Sequence, residues 1–510
     1  MPQIYNQILF MCLFFKFLII LNYWHKISSF VPKNNPIYQL FYAMKPTYYT
    51  LLLLFMAFQK CGFAAILQPN TKPQAKEYHI KITVKGAQPG DTVFLITTFG
   101  TQQFATDTAL LDAQTKAEFV GKTLHQGVAG FMLSDKSYLE FIMPANQNFE
   151  VTTEKNNLLA QAKFTNSPEN TRFFGYLLQA QINRGQAQQL RAEQKSTKEI
   201  DSIFEANQAQ FIAQNPEDLV TKILMLSKES ELDNYRPRKT DGSLDTAKIM
   251  YFYSRNFWEN TDFNDNRLIY TLALEPKIMR YITQIIPQIP DSLNAACDFM
   301  LEKCKKNPEM YEYLLRKLAS TYEQPKVMGT DAVFVYLVEK YFKDLASVPF
   351  FTEPELLRIR QKANELAPSL LGKTAPDIVL QNENGQTFSV YGLQKEYTVL
   401  YFFDPNCGKC QKITPEVLGV YKKYAGEPKL GFVSVCNAPE EANWRKYIVE
   451  KGLTWLNLYD FSGSYAFRSG YNIDQVPKVV VIDKNHKIVA KNLDAETLDL
   501  FLKNNLKLNP

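Results

Sequence analysis

The sequence predicts a multidomain chain: a small all-β domain, then an α-helical domain, then an α/β domain with a central mixed sheet flanked by helices. Its 510 residues are typical of about three globular domains. Apolar residues alternate with polar ones over residues 75–166, and they recur at helical spacing over residues 167–366. Residues 367–510 contain a continuous apolar strand, followed by a predicted helix that opens on two cysteines.

Alternation predicts a sandwich-like fold for residues 75–166. Ile80, Ile82 and Val84 alternate with polar residues, and a Pro-Gly turn leads into a second apolar segment. Later segments such as Tyr138–Met143 continue the pattern of short predicted strands. Short strands separated by turn residues are typical of two packed antiparallel sheets.

The hydrophobic period lengthens after residue 166. Phe173, Leu177 and Ile182 are placed on one predicted helical stripe, and Leu219 begins another behind an Asn-Pro-Glu-Asp sequence. Helical patterns continue to about residue 366. Neither this domain nor the first one contains a histidine pair at metal-ligand spacing, a P-loop or a dinucleotide-binding glycine pattern.

Charge is unevenly distributed along the chain. Lys and Arg number 57 against 52 Asp and Glu, but five lysines and no acidic residue fall within residues 1–64. The rest of the chain is therefore formally neutral. Because binding to nucleic acid needs a basic surface, the composition argues against a nucleic-acid partner.

Residues 1–64 have the features of a targeting region. Met44 and a lysine are followed by the apolar run 51–58 and by small residues near Ala64, which is the order found in a secretory signal peptide. We therefore expect translation to start at Met44, a signal peptide over residues 44–64, and a mature protein in the periplasm.

Two alternative interpretations of this region remain open. Residues 8–24 are apolar enough for a transmembrane helix, although Lys16 near its middle is costly in a bilayer. Cys61 offers a site for lipid attachment, although bulky Lys60 stands where lipoprotein signals have a small residue. Either arrangement would associate the protein with the membrane through its N-terminal segment.

The cysteines beyond the targeting region are too few for a disulfide-stabilised scaffold. Cys297 and Cys304 are seven positions apart in a predicted helix, which separates them by about 10 Å. A disulfide needs less than about 7 Å between Cα atoms. Only Cys407 and Cys410 have the C-x-x-C spacing of a redox pair. No second pair or histidine set completes a zinc site, so we expect neither a metal nor a cofactor.

The sequence around this pair favours a reactive thiolate at the first cysteine. The apolar run 398–403 predicts a buried strand, and a helix is predicted to begin at Cys407. Unpaired N–H groups and the dipole at a helix N-terminus lower a thiol pKa, and the thiolate is the nucleophile. Cys410, one turn later, is near enough to attack a disulfide formed at Cys407. Lys409 either adds positive charge there or is simply solvated, and Pro415 should kink the helix.

These motifs resemble the TlpA/ResA branch of thioredoxin-like disulfide reductases. The resemblance rests on Cys407-x-x-Cys410 with Pro415 five residues on, a Gly-Lys-Thr-Ala-Pro-Asp sequence upstream, and Val476-Pro477 before an apolar strand. It implies a thioredoxin-like fold over residues 367–510, a cis bond at Pro477 beside Cys407, and a substrate strand held at Val476. It also implies reduction of protein disulfides, with electrons supplied by a membrane-derived thiol reductant. The three-part layout resembles exported proteins whose β-rich and helical domains have unknown function.

Several positions depart from the family pattern. Asn406 stands where many relatives have tryptophan, Gln381 where several have a buried glutamate, and Tyr401 where thioredoxins place an aspartate. Asp404 is then the nearby acid available to relay a proton, or it simply caps the loop. Cys436 follows a predicted parallel strand and is either a third redox thiol or, as we expect, a packed cysteine.

Two competing functional classes remain. A peroxiredoxin would carry a threonine or serine three residues before its reactive cysteine and a proline seven before it, where this chain has Asp404 and Leu400. Alternatively, the protein is a non-enzymatic periplasmic or surface interaction protein whose cysteines form a passive disulfide. Alkylation of Cys407 at neutral pH after mild reduction distinguishes an exchange enzyme from this second class.

Overall fold

A computed structural model of the chain describes residues 77–228 and 235–506, which divide into two compact units. The first unit contains the described residues up to Ile286 together with Lys303–Tyr311, and the second contains Pro287–Glu302 and the residues from Glu312 onward. The predictions for residues 1–64 lie outside the described residues. No helix in the described ranges is both long enough and apolar enough to cross a membrane.

The β-rich region of the first unit consists of two four-stranded sheets, with strand orders β4-β1-β7-β8 and β3-β2-β5-β6. The strands are β1 (Glu77–Lys85), β2 (Thr92–Phe99), β3 (Gln102–Leu110), β4 (Lys116–Lys122), β5 (Gly127–Leu133), β6 (Tyr138–Met143), β7 (Asn148–Glu154) and β8 (Lys163–Thr165). Ile80, Ile82 and Val84 are fully buried, because alternate residues of a strand face the same side of the sheet. The predicted all-β fold is confirmed, although the apolar pattern did not predict β3, β4 and β8.

Five α-helices follow within the described residues of the first unit. They are α1 (Pro168–Ala192), α2 (Lys198–Gln214), α3 (Leu219–Ser227), α4 (Thr246–Asn256) and α5 (Leu274–Arg280). Phe173 and Leu177 are buried in α1, as predicted, but Ile182 is 54% exposed. Placing Ile182 on the same stripe was wrong, because the buried face of α1 continues through Ala180 and Asn183, and Ile182 lies about 100° around the helix from Asn183.

Four further helices precede the α/β domain. They are α6 (Pro290–Cys304), α7 (Pro308–Glu323), α8 (Asp331–Tyr341) and α9 (Glu353–Leu366). Thr352 and Glu355 form a capping box at the start of α9, in which each side chain accepts a hydrogen bond from the other's backbone N–H. Helix α8, helix α9 and the α/β domain all belong to the second compact unit.

The α/β domain is built on a five-stranded mixed sheet of order β13-β12-β11-β14-β15, beside a small hairpin of β9 and β10. Its strands are β9 (Val379–Gln381), β10 (Thr387–Ser389), β11 (Tyr397–Phe403), β12 (Leu430–Cys436), β13 (Leu456–Leu458), β14 (Lys478–Asp483) and β15 (Ile488–Lys491), and its helices are α10 (Gly408–Tyr424), α11 (Glu441–Lys451), α12 (Phe467–Tyr471) and α13 (Ala495–Leu506). Strand β11 is parallel to β12 and antiparallel to β14. Both faces of β11 are buried, because side chains cover the sheet on each side.

Candidate active site

Cys407 lies at the N-cap of α10, immediately after the loop that leaves β11. Its backbone N–H donates to the carbonyl of Asp404 at 3.1 Å, and its own carbonyl accepts from the N–H of Gln411 at 3.1 Å. These two bonds fix the start of the helix and leave the first N–H groups of α10 directed toward the Cys407 sulfur. The predicted placement of Cys407 is confirmed.

The thiol pKa of Cys407 is lowered below its ordinary value. Burial alone would raise this pKa, but hydrogen bonds from the backbone N–H groups of Cys410 and Lys409 and from the Cys410 thiol stabilise the thiolate more strongly. The side chain of Lys409 is exposed. Lys409 therefore favours the thiolate through its backbone, and the solvated side chain is the better of the two interpretations made from sequence.

Cys410 differs sharply from its partner. Its side chain is fully buried, and burial raises the pKa of its thiol to about 12. Both cysteines are free thiols in this structure. The pair therefore combines one partly exposed sulfur that ionises readily with one buried sulfur that keeps its proton.

The loop before β14 lies against the exposed sulfur. The Val476–Pro477 peptide bond is cis, and the Cys407 thiol donates to the Val476 carbonyl oxygen at 3.5 Å. The cis bond at Pro477 and its position beside Cys407 are therefore confirmed. An extended chain that paired with the backbone of Val476 would lie directly at the reactive sulfur.

Asp404 shapes the loop that precedes the cysteine pair. Its carboxylate accepts a hydrogen bond from the backbone N–H of Asn406 at 2.7 Å, which is a local turn contact typical of aspartate. The Asp404 charge raises the pKa of both Cys407 and Cys410, and the Asp404 backbone N–H opposes this effect at Cys410. The observed contacts support a capping role, and proton relay by Asp404 stays a prediction.

A chain of buried hydroxyl groups lies beneath the pair and was not predicted. Tyr401 and Thr414 are joined by a hydrogen bond of 2.6 Å between their oxygens, and Thr414 and Tyr447 by one of 2.7 Å. Burial raises the pKa of both tyrosines, that of Tyr447 to about 12. The sequence signal was available only for Thr414, which lies one turn after Cys410 on the same face of α10.

Pro415 lies inside α10, which continues to Tyr424.

The three other cysteines of the described residues are buried, and the residue at the expected glutamate position is exposed. Cys436 ends β12 opposite Phe403 and is fully buried, and burial raises the pKa of its thiol to about 12. This supports the packed interpretation. Cys297 and Cys304 are both buried in α6, and burial raises both of their thiol pKa values. Gln381 is exposed at the end of β9, so the residue at the expected glutamate position is not buried.

An exposed polar network borders the site next to Cys407. The side-chain amide of Asn406 donates to the Glu440 carboxylate at 2.9 Å, and the amide of Asn443 donates to the same oxygen at 2.9 Å. Asn406, which stands where the family resemblance leads one to expect tryptophan, is thus fixed by its hydrogen bond to Glu440. The sequence showed this substitution but not the partners, which lie more than thirty positions away.

The fold and this site define a thioredoxin-like domain, with a C-x-x-C pair at the start of a helix and a cis-proline loop beside it. Residues 395–488 match the family model described as thioredoxin-like, in agreement with the fold of this C-terminal domain. Residues 78–173 and 244–364 match two models described as domains of unknown function, DUF4369 and DUF5106 respectively.

Several proteins of known sequence or structure are similar to this chain. The Arabidopsis thaliana protein named probable nucleoredoxin 1 is 26% identical over 126 residues, which are 24% of this chain and 21% of that protein. The chain thus matches about a fifth of the length of this curated relative. A domain of a possible thiol-disulfide isomerase from Cytophaga hutchinsonii is 34% identical, with 28% of this chain and 96% of that domain covered and a TM-score of 0.26.

Two further solved structures are similar to parts of this chain. A thiol:disulfide interchange protein from a Bacteroides species is 23% identical, covers 28% of this chain and 93% of its own, and has a TM-score of 0.26. A thioredoxin-like protein from Bacteroides caccae is 18% identical and covers 54% of this chain and 99% of its own, with a TM-score of 0.43.

Proposed function

We propose that this protein is an extracytoplasmic thiol–disulfide oxidoreductase that reduces protein disulfides through Cys407 and Cys410. The observation that carries the proposal is the asymmetry of the pair. The thiol of Cys407 is partly exposed and has a lowered pKa, whereas that of Cys410, one helical turn away, is buried with its pKa raised to about 12. An attacking thiol needs access and ionisation, and a resolving thiol needs only proximity.

The reaction proceeds in two exchange steps. The Cys407 thiolate attacks one sulfur of a substrate disulfide, which forms a mixed disulfide and releases the other substrate sulfur as a thiolate that takes up a proton. Cys410 then loses its proton and attacks the sulfur of Cys407. This breaks the mixed disulfide and releases the second substrate thiol. The substrate gains two electrons and two protons, and the enzyme is left with a Cys407–Cys410 disulfide.

Substrate binding uses the backbone of the cis-proline loop. Val476 offers its carbonyl oxygen 3.5 Å from the Cys407 sulfur, where an extended substrate segment would place its own disulfide by strand-like pairing. A thiol reductant must return the enzyme disulfide to two thiols after each cycle. We assign this role to a membrane-derived thiol protein, in line with the resemblance to the TlpA/ResA branch.

The extracytoplasmic location is supported by the sequence of residues 44–64, which has the order of a secretory signal peptide. A disulfide reductase in an oxidising compartment also has disulfide substrates available to it. The residues to which we assign exchange lie in the C-terminal domain.

The division of labour between the cysteines gives the decisive experiment. Cys410→Ser should still attack protein disulfides but should stall as mixed disulfides, visible on non-reducing gels as adducts with insulin chains or native partners. Cys407→Ser should form almost none, because the remaining sulfur is buried. Cys436→Ala is the matched control, since this cysteine is equally buried but outside the motif, and it should retain insulin reduction.

The passive-disulfide alternative makes a different prediction. Both single variants would then destabilise the fold to a similar extent, and neither would trap a partner. If Cys410→Ser traps no more mixed disulfide than Cys407→Ser does, the proposed exchange activity is refuted.

A further inference from the structure

The cis-proline loop, residues 472–477, is held by contacts that the exchange mechanism does not itself use. The loop follows α12 and carries the Val476 carbonyl to the Cys407 sulfur. Asn472, its first residue, is in the left-handed region with a φ of 49°, so the chain turns sharply there. Where this loop lies sets the distance between the substrate strand and the reactive sulfur.

Lys478 closes the loop from its far end. It is the first residue of β14, directly after Pro477, and its amine reaches back to donate to the carbonyl oxygen of Asn472. The side chain therefore connects the two ends of the loop. An ammonium–carbonyl hydrogen bond is charge-assisted, which makes it stronger than a neutral one in a partly buried position.

Lys362 anchors the same loop from the preceding helical segment. It lies in α9 and forms an ion pair with Asp474 at 3.1 Å. The lysine side chain is 22% exposed and the aspartate side chain 51%, so this contact is weaker than the Lys478 contact. Helix α9, the loop and β14 all belong to the second compact unit.

We propose that Lys478 and Lys362 are positioning residues for disulfide exchange, which hold the cis-proline loop so that a substrate strand paired with Val476 meets the Cys407 sulfur. This inference rests on the proposed function and deepens it by naming the residues that set substrate geometry. It also gives α9 a defined role as the outer support of the substrate loop.

The electrostatic surroundings of Lys478 make this role pH-dependent. Burial lowers the pKa of its amine to about 8. The carboxylates of Asp474 and Asp331 raise this pKa, and the ammonium groups of Lys491 and Lys362 lower it. The contact between Lys478 and Asn472 is thus charge-assisted below about pH 8 and weakens above that value, when the amine becomes neutral.

The test compares substrate turnover with simple thiol reactivity in the full chain. Lys478→Met should lower kcat/KM for insulin reduction by about tenfold, since displacements of about 1 Å in a reacting geometry cost up to a hundredfold. Lys362→Met should lower it by about two- to fivefold, as expected for a half-exposed ion pair. Alkylation of Cys407 by iodoacetamide should be unchanged in both variants, because the N–H groups that stabilise its thiolate belong to α10.

Two further variants make the experiment specific. Lys423→Met is the matched control: it removes a lysine of α10 that pairs with Asp499 at 2.8 Å, away from the loop, and it should match the wild type. Lys478→Arg should retain most of the insulin reduction, because arginine keeps the charge and the donor. In the wild type, deprotonation of Lys478 should lower kcat/KM above about pH 8. Lys478→Arg should abolish this loss, because arginine stays protonated.

Three results would overturn the inference. Insulin reduction by Lys478→Met equal to that by Lys423→Met would show that the loop needs no such support. Equal losses of insulin reduction and Cys407 alkylation would assign Lys478 to general stability instead of positioning. A wild-type chain that alkylates at Cys407 but does not reduce insulin would remove the proposed function itself, and the inference with it; this case is recognised without any lysine variant.

Discussion

Removal of the Asp331 carboxylate should strongly destabilise the second compact unit. Lys491 on β15 donates to the carboxylate of Asp331 on α8 and, at 2.7 Å, to the carbonyl oxygen of Ser369. The two charged side chains are only 5% and 7% exposed. In Asp331→Ala the ammonium group would stay buried with its counter-charge missing, and breaking a buried ion pair in this way costs about 3–5 kcal/mol.

Labelling of a buried cysteine measures this loss directly. Cys436 is fully buried, so a thiol reagent reaches it only when the unit opens, and the labelling rate follows the opening equilibrium. The expected cost corresponds to labelling about a hundred- to several-thousandfold faster in Asp331→Ala than in the wild type. The control is Glu396→Ala, which breaks an exposed pair with Lys429 at 3.3 Å and should change labelling less than about fivefold.

A second variant separates charge from packing. Asp331→Leu combined with Lys491→Met removes both charges and keeps comparable volume, so it should restore much of the protection of Cys436. If Asp331→Ala labels no faster than Glu396→Ala, the buried pair does not hold this unit together and the reasoning fails.

Two other predictions concern the first unit and the N-terminus. The Glu140 carboxyl is buried and neither of its oxygens has a hydrogen-bond partner in the described structure, and burial raises its pKa from 4.5 to about 8. Since the carboxyl group ionises first in the unfolded chain, the free energy of unfolding should fall by about 5 kcal/mol as pH rises from about 4.5 to about 8, and it should stay level above that pH. In Glu140→Gln this pH dependence of stability should disappear. The measurement is the labelling rate of Cys304, corrected for ionisation of its thiol. An unchanged pH slope in the variant would contradict the assignment to Glu140. N-terminal sequencing of protein from the native host should find a start near Ala65; a start at Met1 or in residues 20–29 would refute export by the proposed signal.

The exchange motif could be predicted from sequence because its determinants are local. Cys410 lies three positions after Cys407, and an apolar strand followed by a short loop places the first cysteine at a helix start. Helix N-termini expose unpaired N–H groups wherever they occur, so the direction of the Cys407 pKa shift follows from the pattern alone. The cis bond at Pro477 was instead an expectation from the resemblance of the Val476-Pro477 loop to the TlpA/ResA branch, because an X-Pro pair before an apolar strand does not by itself determine the cis isomer.

The missed strands show where a local pattern gives too little information. Strand β3 is exposed along almost its whole length, and Phe104 is 46% exposed. A strand without a buried face has no reason to alternate apolar and polar residues, so its sequence resembles a loop. Strand β4 does alternate, with Ala117 and Phe119 buried, so the sequence does contain a signal for this strand.

The supporting contacts could not be predicted, because they join residues far apart in the chain. Asp331 and Lys491 are separated by 160 positions, and Lys362 and Asp474 by 112. One charged residue among many on a helix gives no sign of which distant partner it meets. The substitution of Tyr401 for aspartate was visible in the sequence, but the hydroxyl chain through Thr414 to Tyr447 required the packing of α10 and α11 over β11.

This difference between local and distant determinants has a consequence for how the reaction is controlled. Burial raises the thiol pKa of Cys407, and the groups that outweigh burial and lower this pKa lie within three residues of the cysteine, so substitutions in the helical segment should leave alkylation of Cys407 by small reagents nearly unchanged. In the proposed mechanism, the loop that would present a protein substrate is instead held by Lys478 and, through Asp474, by Lys362 of the preceding helix. Changes in the helical segment can therefore alter substrate reduction without altering the thiol, which is why the two activities must be measured separately in every variant.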